Sequence, residues 1–221
     1  MKMYRIVKVS VLFAALSGVV WAEPQLYETG PAEESSYVRF VNATDKDISV
    51  LSSTGAAKIA LNSKAEGRVS RFYPVKAGTK LSATIQRGDK KEPVEVTGKP
   101  WEYITIAVLP GSGAQMETKI VRETPTDFNA MKSSVALFNL DAKCPEAVMQ
   151  GGAKAVTILE NVKSFSVARR LVNPVKLTAT VNCGAAGSSI DLSQLQAGER
   201  YSVFMFSLKN ARRVFFSRDV N

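Results

Sequence analysis

A chain without a single histidine gives up most of the chemistry that proteins carry out near neutral pH. Imidazole is the side chain whose unperturbed pKa suits proton shuttling there. A Ser-His-Asp triad, a Cys-His dyad and the common zinc sites are therefore excluded as written. Carboxylate pairs survive that test. Glu33 and Glu34, Asp45 and Asp47, and Glu92 and Glu95 are close in sequence and could in principle act as glycosidase acids. All three pairs read as turn or arm positions, where carboxylates face water. No P-loop or GxGxxG is present, and Gly111-Ser112-Gly113 reads as a flexible turn. The expectation is no catalytic residue, no metal ligand set and no cofactor. Cys144 and Cys183 are even in number and lack a CxxC spacing, which favours one structural disulfide. Closing that loop of 39 positions stabilises the folded state by about 4 kcal/mol in chain-entropy terms.

What remains is surface chemistry. Arg39, Arg169, Arg170 and the basic stretch Lys209 to Arg213 are candidate contacts, with Trp101, Tyr103, Phe215 and Phe216 as aromatic ones. Solvated charge and ordinary core explain most such residues. Arg39 stands apart, because a guanidinium among bulky strand neighbours must snorkel or find a carboxylate.

The elements that would position these residues begin after residue 22. Lys2, Arg5 and Lys8 precede an apolar run from Val9 to Val20, and Val20-Trp21-Ala22 offers small residues at a cleavage site. This is a signal peptide over 1–22, and no later run is apolar for long enough to insert in a membrane. The compartment expected is the periplasm, with a secreted or eukaryotic luminal protein as the alternative. Removing three bases and no acid takes the formal charge from +9 to +6, and in an exported protein nucleic acid is a poor partner. Residues 23–35, EPQLYETGPAEES, form a polar arm whose apolar pair is Leu26-Tyr27.

From Ser36 the pattern has period two, with Tyr37, Arg39 and Val41 on one face and Val38, Phe40 and Asn42 on the other. Strands are predicted at 36–42, 48–51, 68–73, 80–86, 94–97, 103–109 and 116–121. In the second half they fall at 134–140, 156–159, 164–168, 175–181, 201–208 and 213–217, with a helical turn hinted at 191–197. The plan is stated twice. KLSATI at Lys80 returns as KLTATV at Lys176, Asn42 is matched by Asn139, and Tyr103 by Tyr201, at offsets of 96, 97 and 98. The expected fold is all-β, with two tandem small β-sandwich (Ig-like) domains at 36–121 and 133–221. The linker at 122–132 leaves their relative orientation open.

In Leu26-Tyr27 with Pro31, in SSYVRFVNAT from Ser35 to Thr44 and in NPVKLTAT from Asn173 to Thr180, the chain resembles the alginate O-acetylation accessory protein (AlgF) family. The likeness runs in order along most of the mature chain, although Cys144 and Cys183 are not part of the family pattern. It implies a non-enzymatic periplasmic adaptor beside a membrane-bound O-acyltransferase and SGNH-type periplasmic acetyltransferases, serving alginate or, in a related system, cellulose. Leu26, Tyr27, Arg39, Trp101, Arg169 and Arg170 are the expected partner contacts. A polysaccharide-binding module that stacks sugar on Trp101 and Tyr103 is the alternative, and a covalent acetyl carrier ranks last because no serine or cysteine has an activating base.

Overall fold

Short β-forming runs between turn signals fold here into sixteen strands among the described residues, which are 34–53, 57–65, 67–113, 115–209 and 211–220 of a computed structural model. In the first half they are β1 (Ser35–Asn42), β2 (Ile48–Ser52), β3 (Lys58–Leu61), β4 (Tyr73–Lys76), β5 (Lys80–Arg87), β6 (Lys90–Thr97), β7 (Tyr103–Pro110) and β8 (Met116–Glu123). The second half holds β9 (Ser133–Asn139), β10 (Glu146–Gly151), β11 (Val156–Lys163), β12 (Ser166–Val172), β13 (Lys176–Cys183), β14 (Ala186–Gln194), β15 (Arg200–Leu208) and β16 (Ala211–Arg218). The signal segment and nearly all of the arm, including Leu26 and Tyr27, lie outside the described residues.

Each half is a sandwich of two four-stranded sheets, and the two halves share one topology. The first has an inner sheet β4-β1-β7-β8 and an outer sheet β3-β2-β5-β6; the second has β12-β9-β15-β16 and β11-β10-β13-β14. Adding eight to a strand number in the first half gives its counterpart in the second. The parallel pair β1–β7, with Asn42 opposite Val108, returns as β9–β15 with Asn139 opposite Met205. The echoed KLSATI and KLTATV are the starts of β5 and β13.

One residue explains why Asn42 and Asn139 match. Asn42 is buried at the end of β1, where Nδ2 donates to the carbonyls of Lys46, Leu61 and Asn62, and Oδ1 accepts from Thr44 N at 3.0 Å. Asn139 ends β9 the same way, donating to Cys144 and Val162 carbonyls at 2.9 Å and accepting from Asp141 N at 3.1 Å. Each amide satisfies carbonyls left over where the chain arches from the inner sheet to the outer one, which only a short side chain with both donor and acceptor can do. The Cys144–Cys183 disulfide, with Cα atoms 5.8 Å apart, ties the second arch to β13.

The two halves are not beads on a linker. Residues 33–221 form one compact unit. Besides a core inside each sandwich, a third core lies between the inner sheets, built from Val41, Ala107, Leu109 and Val121 of the first half and Phe138, Phe204, Phe206 and Phe215 of the second. Both inner sheets are therefore buried on two faces, and their central strands read as continuous apolar runs such as YITIAVL and VALFNL. The outer sheets keep the in-out alternation of a one-sided sheet, as in β6.

Several expectations at the level of elements are corrected. The run 68–73 is no strand: only Val69 bridges to Val41, and β4 begins at Tyr73. The helical turn hinted at 191–197 is extended chain as far as Gln194. Strands β3 and β10, with four and six residues, are too short to show a period in the sequence and are seen in their pairing with β2 and with β11 and β13. Glu92 and Glu95 sit within β6 and not in a turn; at a separation of three on a strand their side chains leave opposite faces, so they form no acid pair.

Candidate interaction surface

Arg39 and Arg169 lie at the seam between the halves. Strand alternation turns Arg39 off the sandwich core and onto the third core, where its side chain is only 1% exposed. Its Nη1 donates to Asp219 Oδ1 at 2.7 Å, Nη2 to Ser202 Oγ at 2.9 Å and Nε to Thr105 Oγ1 at 2.9 Å. Phe72, Phe138 and Phe204 surround the guanidinium, with ring centroids 4.4, 4.9 and 5.0 Å away. Such contacts are strongest where the cation is desolvated. Arg169 on β12 reaches the same Asp219 through Oδ2 at 3.1 Å and grips Glu123 with Nε and Nη2. Arg200 lies 3.7 Å from Glu123 and over the ring of Tyr103.

This network fastens first half to second. Asp219 follows the last strand, and the backbone around it is tied on both sides: its N–H donates to Arg200 O at 2.8 Å, and Phe72 N donates to Val220 O at 2.7 Å. Burial alone would raise the Asp219 pKa, but the charges of Arg39 and Arg169, with the Ser202 hydroxyl, outweigh it and hold the carboxyl below its ordinary value. Arg39 and Arg169 are thus consumed by internal carboxylates. The Arg39 side chain is 1% exposed and that of Arg169 10%, both with internal carboxylates as partners, so removing either would damage the seam. Sequence reasoning asked for a carboxylate beside Arg39 but missed Asp219, although Asp219 is the only acid after Glu199 and stands in an otherwise basic terminus.

Trp101 is the opposite case. It is 64% exposed and has φ of 62°, a left-handed conformation that is strained for any bulky L residue. Its surroundings enforce that geometry. Trp101 N donates to Ser35 O at 2.9 Å, Lys99 N to Glu102 Oε2 at 2.8 Å, and the same carboxylate oxygen pairs with Arg122 at 2.8 Å. Gly98, which opens the loop, lies so close to β1 that a Cβ there would sit 2.2 Å from Ser36 Oγ. The indole is therefore pushed into water by a rigid turn at the root of the arm that carries Leu26 and Tyr27.

Tyr103 does not join Trp101 as a second platform. It stacks on Tyr37 at 4.8 Å, meets Phe72 edge-on at 5.0 Å and is capped by Arg200, so its ring is spent inside. Burial pushes its hydroxyl pKa up. Arg170 is exposed, with a single 3.2 Å bond to Ile158 O. The structure thus brings Trp101 and the arm's root together, leaves Arg170 apart on β12, buries Arg39, and holds the half-buried Arg169 and Tyr103 in contacts within the seam. Asp45 pairs with Lys209, and Asp47 accepts from Ser63 N. Among the described residues no group of three or more potential ligands could hold a metal ion.

No family model matches the chain, and no curated protein matches it. Among solved structures, a family 26 carbohydrate-binding module of Eubacterium rectale in complex with maltoheptaose aligns with 82% of this chain and 96% of its own, at 10% identity and a TM-score of 0.27. A protein from Bacteroides uniformis described as a cell adhesion protein aligns with 86% of this chain and 99% of its own, at 10% identity and a TM-score of 0.29. The Bacillus anthracis TIE protein aligns with 78% of this chain and 33% of its own, at 8% identity and a TM-score of 0.24. Likenesses this distant carry no functional argument.

Proposed function

We propose that the chain is a non-enzymatic periplasmic adaptor for O-acetylation of an exopolysaccharide, alginate or cellulose, which binds an SGNH-type acetyltransferase and works beside a membrane-bound O-acyltransferase. The observation that carries the reading is Trp101. A large aromatic held in strained backbone and presented to water gains little from burial in the free molecule, and tryptophan is among the residues most enriched at the energetic centres of protein interfaces. The missing histidine supports the same reading, since serine-triad acetyl transfer then falls to a partner. The resemblance of SSYVRFVNAT and NPVKLTAT to the accessory family supplies the pathway.

A sugar-binding module is favoured by the same exposed indole, but a polymer site needs successive platforms, and Tyr103 is committed to the Tyr37 stack. The test is capture of the purified acetyltransferase from the same gene cluster by the mature chain. Trp101→Ala combined with removal of residues 23–33, which spares β1 and the carbonyls of Glu34 and Ser35, should abolish capture while leaving thermal stability near wild type. Capture that survives both changes would overturn the assignment. Retardation of the wild type in an alginate or cellulose gel, with no acetyltransferase bound, would install the sugar-binding reading instead.

A further inference from the structure

Far from Trp101, the seam between the halves opens into a trough. Three depressions of about 500, 380 and 400 Å³ adjoin around the β15–β16 turn: the first two share Asp45 and Leu208, and the first and third share Pro110 and Lys209. Both halves build it. Lys46 comes from the turn after β1 and Arg87 and Lys90 from the facing ends of β5 and β6 in the first half, Lys209 and Arg213 from the second.

The acids along the trough are already committed. Asp45 pairs with Lys209 at 3.0 Å, Glu117 with Lys119 at 2.6 Å, and Asp141 with Arg212 at 3.3 Å and the Ser207 hydroxyl at 2.8 Å. Lys46, Lys90 and Arg213 form no ion pair among the described residues. An elongated basic groove with low-dielectric walls focuses positive potential along its length and selects an extended anionic partner. Trp101 lies two residues before the start of β7, and Pro110 is its end, so the trough stands one strand length away, about 23 Å at the usual rise.

We infer that this trough is a second docking site, which takes an extended acidic segment, rich in Asp and Glu, of a protein partner. The inference rests on the adaptor reading and deepens it: one chain holds two partners at once, one by the indole at one end and one by charge at the other. Complementary charge of this kind acts chiefly on encounter and on the choice of partner.

The test uses the full mature chain and a fluorescently labelled oligoglutamate peptide, followed by anisotropy at low and at physiological salt. Wild type should bind with an affinity that falls as salt rises. Lys46→Glu with Lys90→Glu, both exposed, should weaken binding by about tenfold or more through lost complementarity. Lys163→Glu with Lys176→Glu, the same charge change on the outer sheet of the second half, should stay near wild type. Equal losses in the two double variants would reduce the effect to net charge and overturn the site. No binding by wild type, or binding of oligouronate in place of the peptide, would overturn it too. Because the peptide assay involves no acetyltransferase, failure of the trough and failure of the adaptor assignment read out separately.

Discussion

Asp219 concentrates the energetics of the molecule in one side chain. Two guanidiniums from opposite halves meet on its two oxygens, and the carboxylate is 2% exposed. Removing one member of such a buried set strands the others without partners. Asp219→Asn should therefore lower stability at neutral pH by about 3 kcal/mol, read from urea midpoints. The sign of the pH dependence follows from the depressed pKa. A carboxyl held below its unfolded value of about 3.9 contributes stability above that pH and loses it as pH falls through the folded pKa. The wild-type advantage over Asp219→Asn should accordingly shrink below about pH 4; parallel curves for the two proteins would show that the carboxylate is not linked to folding. Trp101 makes the opposite prediction. Trp101→Gly relieves a left-handed backbone, so the melting temperature should hold or rise while capture of the acetyltransferase is lost. A fall of many degrees would mean that the indole serves the fold. The oddness of Arg39 was legible in the sequence because a charge broke an apolar strand pattern. Its partner was not, since Asp219 is 180 positions away and only the packing of two half-molecules brings them together.

At the scale of elements the duplication is the informative feature. The echo of KLSATI in KLTATV predicted two similar plans, and the two halves show one strand order twice. The matched asparagines turn that likeness into a stability claim. Asn42→Asp and Asn139→Asp each replace the two amide donors by an acceptor facing carbonyls, and each should cost about 3 kcal/mol, measurable by thermal melting. A large effect at one site and none at the other would show that the arches do different work. Opening the Cys144–Cys183 bridge by a double change to alanine should cost up to about 4 kcal/mol. Strand boundaries were legible where apolar runs met turn signals, as in β1, β7 and β15. They were obscure in β3 and β10, which are short, and in β14, where polar and small residues dilute the pattern.

For the whole molecule, the relative orientation that the sequence left open is set by a shared middle core, which stacks the four sheets of the two sandwiches. The signal was present in the sequence: inner strands run apolar without alternation, which marks a sheet covered on both faces. It was easy to miss, because a short continuous run also fits the core of a lone sandwich. The consequence is testable. Residues 23–123 expressed alone would expose Val41, Ala107, Leu109 and Val121 together, and should aggregate or self-associate where the full mature chain does not. A well-behaved monomeric fragment would argue that the halves are independent. Strand β7 fixes the span between Trp101 and the basic trough, which is what the proposed adaptor needs if two partners are to be held in a set arrangement. The most direct measurement of the proposed function is sedimentation of the mature chain mixed with two SGNH-type periplasmic acetyltransferases. The account predicts a ternary complex that loses one enzyme on Trp101→Ala and the other on Lys46→Glu with Lys90→Glu. Two binary complexes that exclude each other, or no complex at all, would contradict it.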